Sequence, residues 1–215
     1  MDALHKIYET TKYLERFKTL RRFISSPQWM SYPYMTDPES NADHSWRLAM
    51  MVVMLEKHLS QPLDFRKAII MALIHDIPEI IAGDPSPLGS DGTGNDSHAY
   101  NKEAARKKFE NEDKAAKEIF GTLPKEEGDE LYAIWREFED HSTFEAKVVV
   151  ALDKWEGKLQ SFEYSSGEFT KTHYDFTIKY GVEYFAEADP AIEELGKILL
   201  KELKDNYKEY KGPGK

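Results

Sequence analysis

Hydrophobic residues recur along this chain at helical spacing, and no run alternates residue by residue in the manner of a strand. From Ala3 to Ile24 the spacing predicts an amphipathic helix with Ile7, Tyr8, Leu14, Phe17 and Leu20 turned inward. A second helix is expected from Ala42 to Leu59, periodic through Trp46, Ala49, Val52, Val53 and Leu59, with Ser40 and Asp43 as a capping pair at its start. The stretch Lys67–Pro87, KAIIMALIHDIPEIIAGDPSP, is apolar almost all the way round and reads as a buried helix. Pro78 cannot donate to the carbonyl of Ile74, which predicts a kink there, and Gly83 offers a left-handed stop. A polar helix with a thin stripe at Ala104, Phe109, Ala116 and Ile119 should follow from Ser97 to Phe120, then a helix over Leu131–Phe138 and a long buried one over Phe144–Phe162. One or two more are expected between Thr170 and Tyr207, with KEYKGPGK frayed at the end. The connectors SSPQWMSYPYMTDPES and GDPSPLGSDGTGND are broken by Pro and Gly, and the acids of the second read as turn formers. The expected fold is all-α, a helical bundle forming one domain over 1–215, with a site-bearing core at about 28–164, C-terminal helices at 170–207 and a loose tail at 208–215.

Charges placed where the pattern demands burial change the picture. The central helix carries His75, Asp76 and Glu79 on neighbouring points of one surface, and Asp153 directly follows the run VVVAL. Each such group costs several kcal/mol unless it is paired or binds a cation. Lys154 and Arg47 are close enough in sequence to serve as ordinary ion-pair partners. His44 sits in the first turn of its helix, where the dipole disfavours protonation and suits a neutral ligand. His44, His75, Asp76 and Asp153 together form a donor set for one divalent ion, manganese, cobalt, iron, nickel or zinc, with positions left for water and a substrate oxygen. Such an ion lowers the pKa of a bound water from about 15.7 toward neutrality. Glu79, one turn beyond His75, is placed to take a proton from that water, and Asp84, beyond Gly83, belongs at the mouth of the site. Asp84 there would either protonate a leaving oxygen or hold the substrate.

Composition narrows the remaining classes. The chain has 215 residues, 40% of them hydrophobic and 32% charged, with a net charge of −10, and no basic run that would suit a nucleic-acid polymer or an anionic membrane. A small phosphorylated substrate remains compatible, because a local cation can outweigh the global field. There is no cysteine, which excludes disulfides and thiolate chemistry, and the apolar runs are too short to span a bilayer. A cytoplasmic protein is expected.

PESNADHSWRLAMM around His44, ALIHDIPEIIAGDPSP around His75 and Asp76, and FEAKVVVALDKWEGKLQSFEY around Asp153 resemble the HD-domain metal-dependent phosphohydrolases, in particular their 5′-deoxynucleotidase-like branch. The likeness runs from about Gln28 to Tyr164 and includes Glu79 and Asp84 at matching distances from the His-Asp pair. It implies an all-helical HD-type domain, one divalent ion, hydrolysis of (deoxy)nucleoside 5′-monophosphates, catalytic roles for Glu79 and Asp84, and a homodimer. Trp29 resembles the Trp of the family's substrate-selecting loop, although an Arg precedes that Trp in one arrangement and Gln28 does so here. Trp29, Tyr32 and Tyr34 can stack on a substrate ring or simply pack beneath their loop.

Two other readings use the same residues. A two-metal HD phosphodiesterase or di-iron oxygenase needs additional His between the pair and the last Asp, and His98 and His141 stand there, although their surroundings suggest surface positions. A catalytically silent nucleotide-binding module would keep the donors without turnover.

Overall fold

In the computed structural model, which describes residues 2–212, the chain is helical throughout except for two strands of two residues each. The helices are α1 (Ala3–Tyr13), α2 (Pro27–Met30), α3 (Asn41–Leu55), α4 (Phe65–Ile74), α5 (Glu79–Ala82), α6 (Lys102–Phe120), α7 (Lys125–Glu139), α8 (Phe144–Ser165), α9 (Lys171–Thr177), α10 (Glu183–Ala188) and α11 (Pro190–Asn206). Helix α8 runs through the middle. Val148, Val149, Val150, Ala151 and Leu152 are at most 2% exposed, because α3, α4, α7, α10 and α11 all pack against it. A helix covered on that many sides must be apolar around its whole circumference, which is why VVVAL carries no polar interruption before Asp153. Among the described residues, no helix is long and apolar enough to cross a membrane.

The expected first helix is shorter than its spacing suggested. It ends at Tyr13, and a 3-10 turn over Leu14–Lys18 follows. Phe17 is buried, but Ile7 and Tyr8 face solvent. In α3 the buried face consists of His44, Ser45, Leu48, Met51 and Val52, whereas Trp46 and Val53 are 65% and 44% exposed. Trp46 lies two residues, about 200° of helical rotation, from His44. The apolar stripe read from the sequence therefore mixes inner and outer positions, since a histidine and a serine occupy the inner face.

The central stretch breaks where Pro78 requires it. Helix α4 ends at Ile74, and the Ile74 carbonyl, which Pro78 has no N–H to reach, accepts from Ile77 at 3.0 Å. Glu79 N–H then donates to the Asp76 carbonyl, and α5 begins. His75 closes the α4 ladder, its N–H on the Met71 carbonyl at 3.0 Å, while Trp135, fully buried on α7, donates its indole N–H to the His75 carbonyl at 3.2 Å. Gly83 closes α5 with φ +80°, a positive angle, though with ψ 162° rather than the left-handed helical conformation.

Three other expectations are corrected. Helix α6 starts at Lys102, capped by the Asn101 side chain, and its inner face carries the charged Lys108 and Glu112 as well as the apolar stripe. Helix α7 begins six residues earlier than expected, at Lys125. The C-terminal segment pairs in part: Glu168–Phe169 (β1) and Lys208–Glu209 (β2) form a parallel ladder, and Tyr210 N–H donates to the Phe169 carbonyl at 2.7 Å. Residues 213–215 of the expected frayed end lie outside the described residues.

Helix α3 is held at its N-terminus by a full capping box, with the Ser40 side chain accepting from Asp43 N–H at 3.1 Å and the Asp43 carboxylate accepting from Ser40 N–H at 3.1 Å. Ser40→Ala is expected to cost about 1 kcal/mol of stability, seen as a lowered midpoint in urea denaturation. An unchanged midpoint would mean that the box contributes nothing.

Candidate metal centre and substrate cavity

Four donor atoms from three segments converge in the core. His44 Nε2 from α3 lies 3.3 Å from His75 Nε2 at the end of α4 and 3.1 Å from Asp153 Oδ1 of α8. Asp76 Oδ2 is 3.2 Å from His75 Nε2. Two further separations, His44 to Asp76 and His75 to Asp153, are 3.9 and 4.0 Å, so His44, His75 and Asp153 form the tight trio and Asp76 adjoins it from the side of the histidines. Atoms held about 2.1 Å from one ion stand about 3 Å apart when adjacent and about 4 Å apart when opposite, so the spacing fits a shared cation.

The tautomers strengthen this. His44 Nδ1 faces the fully buried Glu156 carboxylate, and His75 Nδ1 lies 3.0 Å from the Ala72 carbonyl. Both partners can only accept, so in each neutral ring Nδ1 carries the proton and Nε2 presents its lone pair. Two lone pairs and two carboxylate oxygens thus face one another with no donor among them. Without a cation the arrangement captures a proton: burial and the Arg22 charge push the His44 imidazole down, but Glu156 and Asp153 outweigh them and hold it up at about 9.

The acids are held from behind. Lys154 binds Asp153 Oδ2 at 2.8 Å, leaving Oδ1 toward the histidines. Arg47 holds Glu156 Oε1 at 2.7 Å. The anticipated ion-pair partners therefore exist, and they orient the donors without filling the centre. Asp76 is shared, since Arg22 Nη1 binds the same oxygen at 2.7 Å.

Asp76 and Asp153 open into a cavity that Glu79, Asp84 and three cations, Arg22, Lys108 and Lys154, also line, together with Lys158, whose ammonium burial and the Lys154 charge push down to about 7. Glu79 is buried, receives a hydrogen bond from the Asn41 amide and lies 3.8 Å from Lys108 Nζ. Burial and the neighbouring Asp76 and Asp84 raise its carboxyl well above the usual range. Asp84 stands at the rim, where it accepts from Phe23 N–H at 2.7 Å, and burial raises its pKa too. Aromatic rings share the wall with these charges: Phe23, Trp29, His173, Phe176 and Tyr180 line the same cavity, with the Arg22 guanidinium 4.9 Å from the centre of the Phe23 ring and Lys154 Nζ 5.6 Å from that of Tyr180. Trp29 is fully buried and sits edge-on to Phe23, with ring centroids 5.8 Å apart, so it lines the cavity as part of a packed cluster, in which Tyr32 and Tyr34 stand behind it. Gln28, in place of the Arg of one family arrangement, is engaged with Thr170.

Sequence reasoning missed Arg22, Lys108, Glu156, Lys158 and the α9 residues. Glu156 and Lys158 carried a signal, as they fall three and five positions after Asp153 on a buried helix. His173, Phe176 and Tyr180 lie beyond the expected core at 28–164 and carried none. His98, expected at the surface, lies in the cavity wall, and burial together with Lys108 and Lys154 lowers its imidazole to about 3. His141 instead packs against Tyr184. Neither joins a three-residue donor cluster among the described residues.

Comparison with known proteins agrees with this arrangement. Residues 18–193 match the family model described as HD domain. The chain belongs to the HD domain family. Among curated HD relatives, the 5′-deoxynucleotidase HDDC2 of Dictyostelium discoideum is 34% identical over 161 residues, covering 72% of this chain and 78% of that protein. The human protein of the same name is 34% identical over 164 residues, covering 76% and 72%. A crystal structure of a predicted metal-dependent phosphohydrolase from Magnetospirillum magnetotacticum superposes with a TM-score of 0.72 at 25% identity, covering 95% of this chain and 96% of that one.

Ion binding must displace the proton held at His44. Apparent affinity for cobalt or manganese is therefore expected to rise with pH up to about 9, roughly tenfold per unit where one proton leaves. Calorimetric titration between about pH 6.5 and 8.5 checks this, and a flat profile would refute it.

Proposed function

We propose that this protein releases phosphate from deoxynucleoside 5′-monophosphates, using one divalent ion held by His44, His75, Asp76 and Asp153. The observation that carries the reading is one cavity lined both by Asp76 and Asp153 of the donor set with the cations Arg22, Lys108 and Lys154, and by the aromatic rings of Phe23, Trp29, Phe176 and Tyr180. A phosphate ester of a flat heterocycle suits both kinds of group. The names of the curated HD relatives support the same substrate class.

The ion supplies a water of lowered pKa and a positive contact for a phosphoryl oxygen. The chain's own groups do the rest. Arg22, Lys108 and Lys154 offset the phosphate charge in a wall where the whole protein is net negative. Glu79, whose raised pKa lets it hold a proton near neutrality, accepts the proton of the attacking water. Asp84, fixed at the rim by the Phe23 N–H, gives a proton to the leaving 5′-oxygen. The mixed imidazole and carboxylate donors suit cobalt or manganese, with iron, nickel and zinc also compatible.

We also propose a homodimer paired through α3. Trp46, Met50, Val53 and Met54 recur at helical spacing on its outer face and are between 38% and 65% exposed.

With cobalt or manganese present, a phosphate-release assay on deoxyribo- and ribonucleoside 5′-monophosphates is expected to show turnover that a chelator abolishes. No release from any of them by the metal-loaded protein would overturn the reading. Glu79→Gln should lower kcat about 10²- to 10⁴-fold with ion content retained by mass spectrometry, and full activity would remove Glu79 from the mechanism. For the dimer, light scattering should give twice the chain mass in the native protein and the single-chain mass in Trp46→Asp; a native monomer would refute it.

A further inference from the structure

Two ring nitrogens, on Trp29 and His173 in the cavity wall, meet no hydrogen-bond partner among the described residues. The Trp29 indole Nε1, which can only donate, is buried and has no partner. Beside it, with ring centroids 5.5 Å apart, lies His173, 2% exposed and lining the same cavity. One nitrogen of this imidazole is already engaged. The Tyr32 hydroxyl accepts from Thr170 N–H at 3.1 Å and lies 3.0 Å from His173 Nδ1. Nε2 is therefore the ring nitrogen left for a ligand. Burial alone lowers this imidazole to about 3, so it stays neutral in the physiological range. Phe169 packs edge-on to the ring at 4.8 Å and holds its plane.

We propose that His173, on α9, hydrogen-bonds the edge of the nucleobase through Nε2, with the neighbouring Trp29 N–H as a second polar contact. The inference rests on the reading that the cavity takes a nucleotide. A base carries ring nitrogens and exocyclic groups at its edge, so it can meet both nitrogens while lying against the wall to which Phe176 and Tyr180, stacked on each other at 5.0 Å, belong. A sugar phosphate without a base leaves both nitrogens without a partner. This assigns a specificity role to a helix that holds none of the four metal donors.

The test compares kcat/KM for the four common deoxynucleoside 5′-monophosphates with that for 2-deoxyribose 5-phosphate, in cobalt-loaded protein. The native protein is expected to favour the nucleotides. His173→Phe should shrink that preference about tenfold through KM rather than kcat, and His173→Gln, whose amide offers both a donor and an acceptor, should retain most of it. Folding of each variant is checked by thermal unfolding. Where His173→Phe does not fold, Trp29→Phe, which keeps a ring and loses the N–H, gives the same readout. A folded variant with undiminished preference overturns the proposal. So does a native protein that hydrolyses 2-deoxyribose 5-phosphate as readily as the nucleotides, which leaves the phosphatase reading standing. Phosphate release from neither class overturns both.

Discussion

Two imidazole nitrogens, each with its lone pair aimed at the same point, cannot sit 3.3 Å apart beside two carboxylates unless something positive joins them. The rest of the molecule makes that confrontation stable. Glu156 fixes one ring and the Ala72 carbonyl the other. Lys154 and Arg22 steady the acids. The turn at Pro78 ends α4 at the point where His75 and Asp76 meet His44 of α3 and His75 approaches Asp153 of α8. Removing any one of these supports would let the acceptors move apart, which is why so many buried charged groups surround so small a volume.

The four donors were legible because burial and charge conflict in the sequence itself. Asp153 directly after VVVAL and a His-Asp pair in an apolar helix are hard to explain otherwise, and the Ser40 capping pair fixed the start of α3 to within one residue. The errors came where that logic reverses. On α3 a histidine and a serine lie inside while Trp46 and Val53 lie outside, so an apolar stripe misplaced the buried face. The partners of the donors were less visible. Arg22, Lys108 and His173 reach the cavity from segments far apart in the chain, and no local pattern records a contact made across that separation. Glu156 was the exception, lying one turn beyond Asp153.

Trp29 illustrates how a correct residue can carry an incomplete role. Its place in an aromatic cluster is the packing that any buried tryptophan would have, and its unpartnered N–H becomes informative only beside His173. That neighbour comes from α9, more than a hundred residues later in the chain. Hydrophobic spacing describes how the helix packs and is silent about which atoms are left without partners.

The cavity has two makers. Asp153, Lys154 and Lys158 line it from α8, packed in the centre of the protein, while Phe23, Trp29, His173 and Phe176 line it from an outer loop, α2 and α9. Replacements on the outer wall can alter what is admitted without disturbing the charges at the centre, whereas the reverse exchange would unsettle the whole bundle. Drift in preference is thus cheap for this architecture and drift in chemistry expensive, so a lineage built on it can diversify its diet while keeping its teeth.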